Sequence, residues 1–421
     1  MGDLTEPDLI SDLPQSIIES ILTRLPIRDA VRTSILSSKW RYKWASITQL
    51  VFDEKCAAVY NDQEVDEKSL VEFITRALFL HEGPIHKFQL SASYLQSCPD
   101  IDQWLLFLSR ADIKELILEL GEGDWYRVPA CLFRCKRLTR LELFRCELDP
   151  PPGFKGFQCL KNLTLHQVSV YADVIENLIS SCSLLENLSL SYFDSLSLNI
   201  NAPNLKYLFL EGEFRDINLE NTPLLAAMSV AMYMNDDFVE NYEQSSSCNF
   251  DKFLGGVPRL ESLNGHIYFT KYLSIGYDLG KLAITYNHLK VIELYQVSFE
   301  DMREIYVVLR LITSSPNLEE LQMSGSSNAL VAMEAPDLDL WEIEAHSKCT
   351  FKKLKHVKMT EMSNVPHEME FIKFLLCRSP VLERMSIAPC VYVMDGRLNM
   401  LIELVRFRRA SARAEILFIQ D

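Results

Sequence analysis

Cysteine and histidine are the residues of this 421-residue chain best suited to nucleophilic or metal chemistry, and their spacing favours neither. The 11 cysteines are scattered, and Cys131 and Cys135, the closest pair, lack the spacing of a zinc ribbon or a redox CxxC. Reduced thiols in an intracellular core are the simplest expectation. The 8 histidines are spread out; His86 and His166 stand in or beside strand-like patterns, where a satisfied imidazole is the plain reading. Asp337, Asp339, Glu342 and Glu344 crowd together, but they alternate with Leu338, Leu340, Trp341 and Ile343, as a solvated face over a packed one does. No GxGxxG, GxxxxGK, GxSxG or HExxH stands in the chain. Neither a cofactor nor a metal is expected. A repeat scaffold can nevertheless host an enzyme, and turnover lost on substituting His166 would reveal one.

The elements that would position any site are repetitive. An apolar pattern L-x-x-L-x-L returns as "IKELIL", "LTRLEL", "LKNLTL", "LENLSL", "LKYLFL", "LAAMSV", "LKVIEL", "LEELQM", "LKHVKM" and "LERMSI", with weaker copies at "ITQLVF", "IHKFQL" and "LESLNG". The irregular spacing suits leucine-rich repeats of variable length. Segments from Tyr171, Asp301 and Glu368 add an amphipathic helix before the strand. Such units bury their apolar faces only by stacking, which predicts a curved α/β solenoid with parallel strands. The leucines are scaffold. Outward positions between them carry any recognition: Arg140, Glu142 and Phe144; Asn162, Thr164 and His166; Tyr207, Phe209 and Glu211; Glu293 and Tyr295. Aromatic anchors among polar groups are the mixture found at protein interfaces, so Arg140, Phe144, His166, Tyr207, Phe209, Glu293 and Tyr295 are the candidate target-binding residues. The polar stretch from Asn235 interrupts the spacing and is either mobile or part of recognition.

Before the repeats, "LPQSIIESILTRLP" sets a short helix between Pro14 and Pro26, with Ile17, Ile18, Ile21, Leu22 and Leu25 at helical spacing. A helix this short needs a partner. Ala30, Val31, Ile35, Leu36, Trp40 and Trp44 continue the apolar theme, so three short helices are expected, the last bearing both tryptophans and capped by Ser37 or Ser38. The tryptophans can dock on the first repeat and leave Leu13, Ile17, Ile21 and Leu25 facing outward.

The string "DLISDLPQSIIESILTRLPIRDAVRTSILSSKWRYKW" resembles the plant F-box motif, and "FKKLKHVKM" through "RASARAEILFIQD" is similar to the FBD domain that closes many plant F-box proteins with leucine-rich repeats. The resemblance implies a tail at 1–8, an F-box at 9–50, a solenoid at 51–345 and an FBD cap of α/β type at 346–421. It also implies a non-catalytic substrate receptor of an SCF-type cullin-RING ubiquitin ligase. The residues matching adaptor-contacting positions are Leu13, Pro14, Ile17, Ile18, Ile21, Leu25, Pro26, Val31, Leu36 and Trp40, some of which must be internal core. The implied partners are a Skp-type adaptor, through it a cullin, and a target protein. An F-box scaffold that binds its adaptor without promoting ubiquitination is the alternative.

Composition agrees with a folded chain: 48% of residues are hydrophobic and 24% charged. The formal net charge of −16 repels phosphate backbones and argues against nucleic acid as a main partner. Asp3, Glu6 and Asp8 stand where a secretory signal would be basic, so an intracellular location is expected. Apolar runs such as "WLLFL" fall far short of the ~20 residues that cross a bilayer, so no membrane is expected as a partner.

Overall fold

The computed structural model describes residues 13–53, 56, 67–92, 95, 98–121, 123–234, 249–276, 284–326, 349–391 and 397–419. The tail 1–8, the acidic run 337–344 and residues 235–248 of the polar stretch lie outside them. The chain divides into two compact units, Met1–Tyr192 and Phe193–Asp421.

The first unit opens with α1 (Gln15–Leu22) and α2 (Ile27–Arg32), each preceded by a proline whose carbonyl accepts the first helical N–H groups. The expected third helix is instead a turn followed by a 3-10 segment, Lys43–Ser46. Gln15 binds this piece to α1: it accepts from Lys43 Nζ at 2.8 Å and donates to Ser46 Oγ at 3.2 Å. Then come β1 (Gln49–Asp53), α3 (Glu67–Leu80), β2 (Lys87–Ala92), α4 (Pro99–Leu108), β3 (Glu115–Leu120), β4 (Tyr126–Arg127), β5 (Arg140–Phe144), β6 (Cys146–Glu147), β7 (Asn162–His166) and α5 (Ala172–Ser181). β1, β2, β3, β5 and β7 pair in parallel in that order, and β7 pairs with Asn187–Ser191, the start of β8 (Asn187–Asn201). The register is that of stacked repeats: Leu116, Leu141, Leu163 and Leu188 align and are all buried.

The second unit contains β9 (Tyr207–Asn221), β10 (Ala227–Met232), α6 (Asn249–Leu254), β11 (Ser262–Gly265), α7 (Phe269–Ser274), β12 (Val291–Val297), α8 (Met302–Thr313), β13 (Glu320–Gly325), β14 (His356–Met362), α9 (Pro366–Arg378), β15 (Arg384–Pro389), α10 (Arg397–Arg406) and β16 (Glu415–Phe418). Strands β9 to β16 pair in parallel in sequence order. Every copy of the leucine pattern, weak ones included, forms a strand. The expected helices before β8, β13 and β15 are α5, α8 and α9, and their apolar faces are buried. β9 differs, because its outer half buries Phe214, Ile217 and Leu219 by strand alternation where other repeats use a helix.

Among the described residues no helix is long and apolar enough to cross a membrane, and no group of His, Cys, Asp or Glu is arranged to hold a metal ion.

Candidate functional site

The helical period of α1 sorts its isoleucines. Ile18 and Leu22 point inward, with Ile18 1% exposed, while Ile17 is 46% exposed and Ile21 lies beside it on the outer face. Pro14, Leu25, Pro26 and Leu36 are also exposed; Leu13 and Val31 are half-buried. Burial sorts the sequence-based set, part of which was expected to be internal core. Ile18 and Trp40 are core residues of this chain, closed off with Ile27, Ala30 and Trp44, and neither offers surface to a partner. One residue of the outer face is missing from that set: Ile35, 86% exposed in the 3-10 segment Thr33–Ile35. Its signal was its place in an apolar run, but the change from α to 3-10 geometry decides where it points. The face is therefore a stripe of aliphatic side chains on a module whose interior is already filled.

The module rests on the first repeat. The Glu82 N–H donates to Ala45 O at 2.9 Å, buried His81 Nε2 lies 2.8 Å from Ile47 O, and Arg28 stacks over Phe73. Gly83 packs closely there: a Cβ would lie 3.0 Å from the Ser46 backbone, a tight contact.

On the strand face of the first unit, register brings Phe144 beside His166, with ring centres 5.2 Å apart, and Tyr192 follows at 4.8 Å from His166. Tyr192 was not anticipated. No outward residue of β8 was among the predicted positions, and Tyr192, two residues past Leu190, has a left-handed backbone with φ 59°. Arg140 ion-pairs with Glu142 at 2.6 Å, and Asn187 donates to Asn162 Oδ1 at 2.7 Å. The arrangement is aromatic and amide-rich. Away from this face, burial pushes the Cys135 and Cys146 thiols up to about 12, so neither is a reactive thiolate.

On the strand face of the second unit, Glu293 and Tyr295 belong to one network. Tyr295 Oη donates to Glu293 Oε2 at 3.2 Å and accepts from Gln322 Nε2 at 2.9 Å, while Asn264 Nδ2 donates to Glu293 Oε2 at 3.1 Å. The His266 ring stacks on Tyr295 with centres 5.1 Å apart. Burial, and after it the adjacent Glu293 carboxylate, raises the Tyr295 phenol above its ordinary value, so it acts as a neutral donor. Tyr207 and Phe209 stand on β9 at the outward positions, Tyr207 exposed and Phe209 half-buried. Asn264, His266 and Gln322 were missed because each lies in a repeat whose outward residues carry no aromatic signal. Both faces present rigid rings beside amide groups, the mixture of side chains that is enriched at protein interfaces.

Two family models match the chain: "F-box domain" over residues 10–49, and the leucine-rich repeats of the FBD-associated F-box protein At5g56370 over residues 101–323. Neither describes a catalytic domain. The chain is 61% identical over 421 residues to the F-box/FBD/LRR-repeat protein At1g13570 of Arabidopsis thaliana, covering 100% of both. It is 25% identical over 443 residues to At3g26920 of the same plant, an F-box/FBD/LRR-repeat protein, covering 99% of this chain and 97% of the relative. A third Arabidopsis protein so described, At5g56420, is 26% identical over 435 residues, covering 98% and 99%.

Proposed function

The chain belongs to the F-box/FBD/LRR-repeat family, and from that premise we propose that it is the substrate-recognition subunit of an SCF-type ubiquitin ligase. The observation that carries the reading is the aliphatic stripe Pro14, Ile17, Ile21, Leu25, Ile35 and Leu36, left in solvent while Ile18, Leu22, Trp40 and Trp44 fill the module's own core. A marginal chain segment does not keep that much apolar surface wet without a protein to cover it. The occupant is a Skp-type adaptor that brings a cullin, and the strand faces receive the target. Catalysis is then proximity: the receptor holds the target near a ubiquitin-loaded enzyme and supplies no reacting group itself. Free cysteines throughout the described residues fit a reducing intracellular compartment, where we place the complex.

Co-expression with a plant Skp-type adaptor tests this. The natural chain is expected to co-purify with it, and Ile17→Asp with Ile21→Asp to abolish the complex while leaving the melting temperature of the chain unchanged. Ubiquitin transfer to a bound target, dependent on the cullin, separates a ligase receptor from an adaptor-binding scaffold. Failure of the natural chain to bind would overturn the proposal.

A further inference from the structure

The strand face of the second unit holds a groove of about 260 Å³ across β12 to β15. Parallel register lays out its lining in two rows, Glu320–His356–Arg384 and Glu293–Gln322–Lys358, so the acidic groups sit on the β12–β13 side and the basic groups on the β14–β15 side. Lys358 and Arg384 are exposed, and among the described residues neither has a carboxylate within ion-pairing distance. Arg384 stands in register with Glu415 on β16 without bonding to it, and the Glu320 carboxylate likewise has no partner among the described residues. Lys290, just before β12, shows the contrast: it is engaged with Glu261 at 3.0 Å. Unsatisfied charges of both signs across one groove are a pattern for a dipolar ligand.

We infer that this groove binds an extended target segment carrying a carboxylate side chain, held by Lys358 and Arg384, followed two residues later by a basic side chain held by Glu320. The inference rests on the reading that the strand face receives the target. Strands lie about 4.8 Å apart, so Glu320 and Arg384, two strands removed, are roughly 10 Å apart. Side chains two residues apart on an extended peptide are separated by about 6.6 Å, and the flexible stem of a lysine covers the remainder. The assigned group is a carboxylate; a dianionic phosphate would double the repulsion from Glu293 and Glu320 as well as the attraction to Lys358 and Arg384, and the test separates the two. On an acidic protein the basic side of the groove is a selective place for one negative group.

The test is fluorescence polarisation of the full chain with three labelled pools of short degenerate peptides. The first pool fixes an aspartate and, two residues after it, a lysine; the second fixes alanine at both places; the third fixes phosphoserine in place of the aspartate and alanine in place of the lysine. The aspartate–lysine pool is expected to bind roughly fivefold more tightly than the alanine pool, the size of two solvent-exposed ion pairs. That advantage should vanish in Lys358→Ala and weaken in Glu320→Ala, both exposed positions whose variants keep the native melting temperature. An advantage kept in Lys358→Ala overturns the inference, and tighter binding of the phosphoserine pool overturns the carboxylate assignment. Pools that bind equally but are lost in Tyr295→Ala overturn the charge pattern alone. No binding by any pool overturns the reading of the strand face as well, while adaptor co-purification stays a separate measurement.

Discussion

Two buried glutamates hold loops to helices in places where a charged side chain is costly. Glu304, in the first turn of α8, accepts from Thr270 Oγ1 and from the Ser298 N–H; Glu368, in the first turn of α9, accepts from the Ser363 and Val365 N–H groups at 3.1 and 3.2 Å. Each carboxyl ties the loop after a strand to the helix that follows. Burial pushes both up to about 7, against hydrogen bonds that pull the other way. A carboxyl raised from an ordinary value of 4.5 to about 7 binds more protons folded than unfolded between those values. Its contribution to stability is therefore complete below about 4.5 and is lost as the pH rises through about 7. Glu368→Gln keeps an acceptor and cannot ionise. Measured against the natural chain, its melting temperature should gain a few degrees between pH 5 and pH 8, and a difference independent of pH would show that the group ionises without cost. Nothing in the sequence marks these residues, since a glutamate in a first helical turn is ordinary; only the neighbouring repeats bury it.

At the scale of the element, one feature recurs with the repeat and has no residue signature. The second residue after the last core side chain of the strand is left-handed in five repeats: Arg145, Gln167, Tyr192, Gln296 and Glu361. The types are unrelated, and none is the Gly, Asn or Asp that would announce such a backbone. In β9 the same position is Gly212, with φ 149°, where a Cβ would meet the Phe193 carbonyl oxygen at 2.5 Å. Gly212→Ala should destabilise the chain by roughly 1–3 kcal/mol. Gln296→Gly, on an exposed left-handed residue, should stabilise it by at most about 1 kcal/mol, because relief of Cβ strain exceeds the added freedom of the unfolded chain. Urea unfolding of both variants checks the pair; stabilisation by Gly212→Ala would refute the assignment. The strands themselves were legible because burying leucine imposes its period on the sequence. The left-handed turns were not, because stacked neighbours impose them from outside the segment.

For the whole molecule, the same distinction explains which parts of the site could be read in advance. The scaffold residues answer to burial, so Ile18, Leu141 and Leu263 repeat a pattern; the outward residues are under no such constraint, so Asn264 and Gln322 repeat nothing. The F-box module lies between these cases. Its apolar spacing was visible, yet Ile18 and Trp40 were indistinguishable by type from Ile17 and Leu36, and only packing separated core from contact. That packing depends on the rest of the first unit: Ala45 O accepts N–H groups of Glu82 and Gly83, Ile47 O is met by His81, and Phe52 packs against Phe73 and Phe88. A module of such size lies close to the roughly 40 residues below which a single core rarely sustains itself. A fragment of residues 1–50 should therefore show no cooperative thermal transition by circular dichroism, because Trp44, Ala45 and Ile47 lose the surface that buries them. Adding the Skp-type adaptor supplies the outer face but not this inner one, so full helicity should not return. A cooperative melt from the fragment alone would mean that the contacts to residues 67–90 are incidental, and that the module reaches its partner as a free domain rather than as the capped end of the first unit.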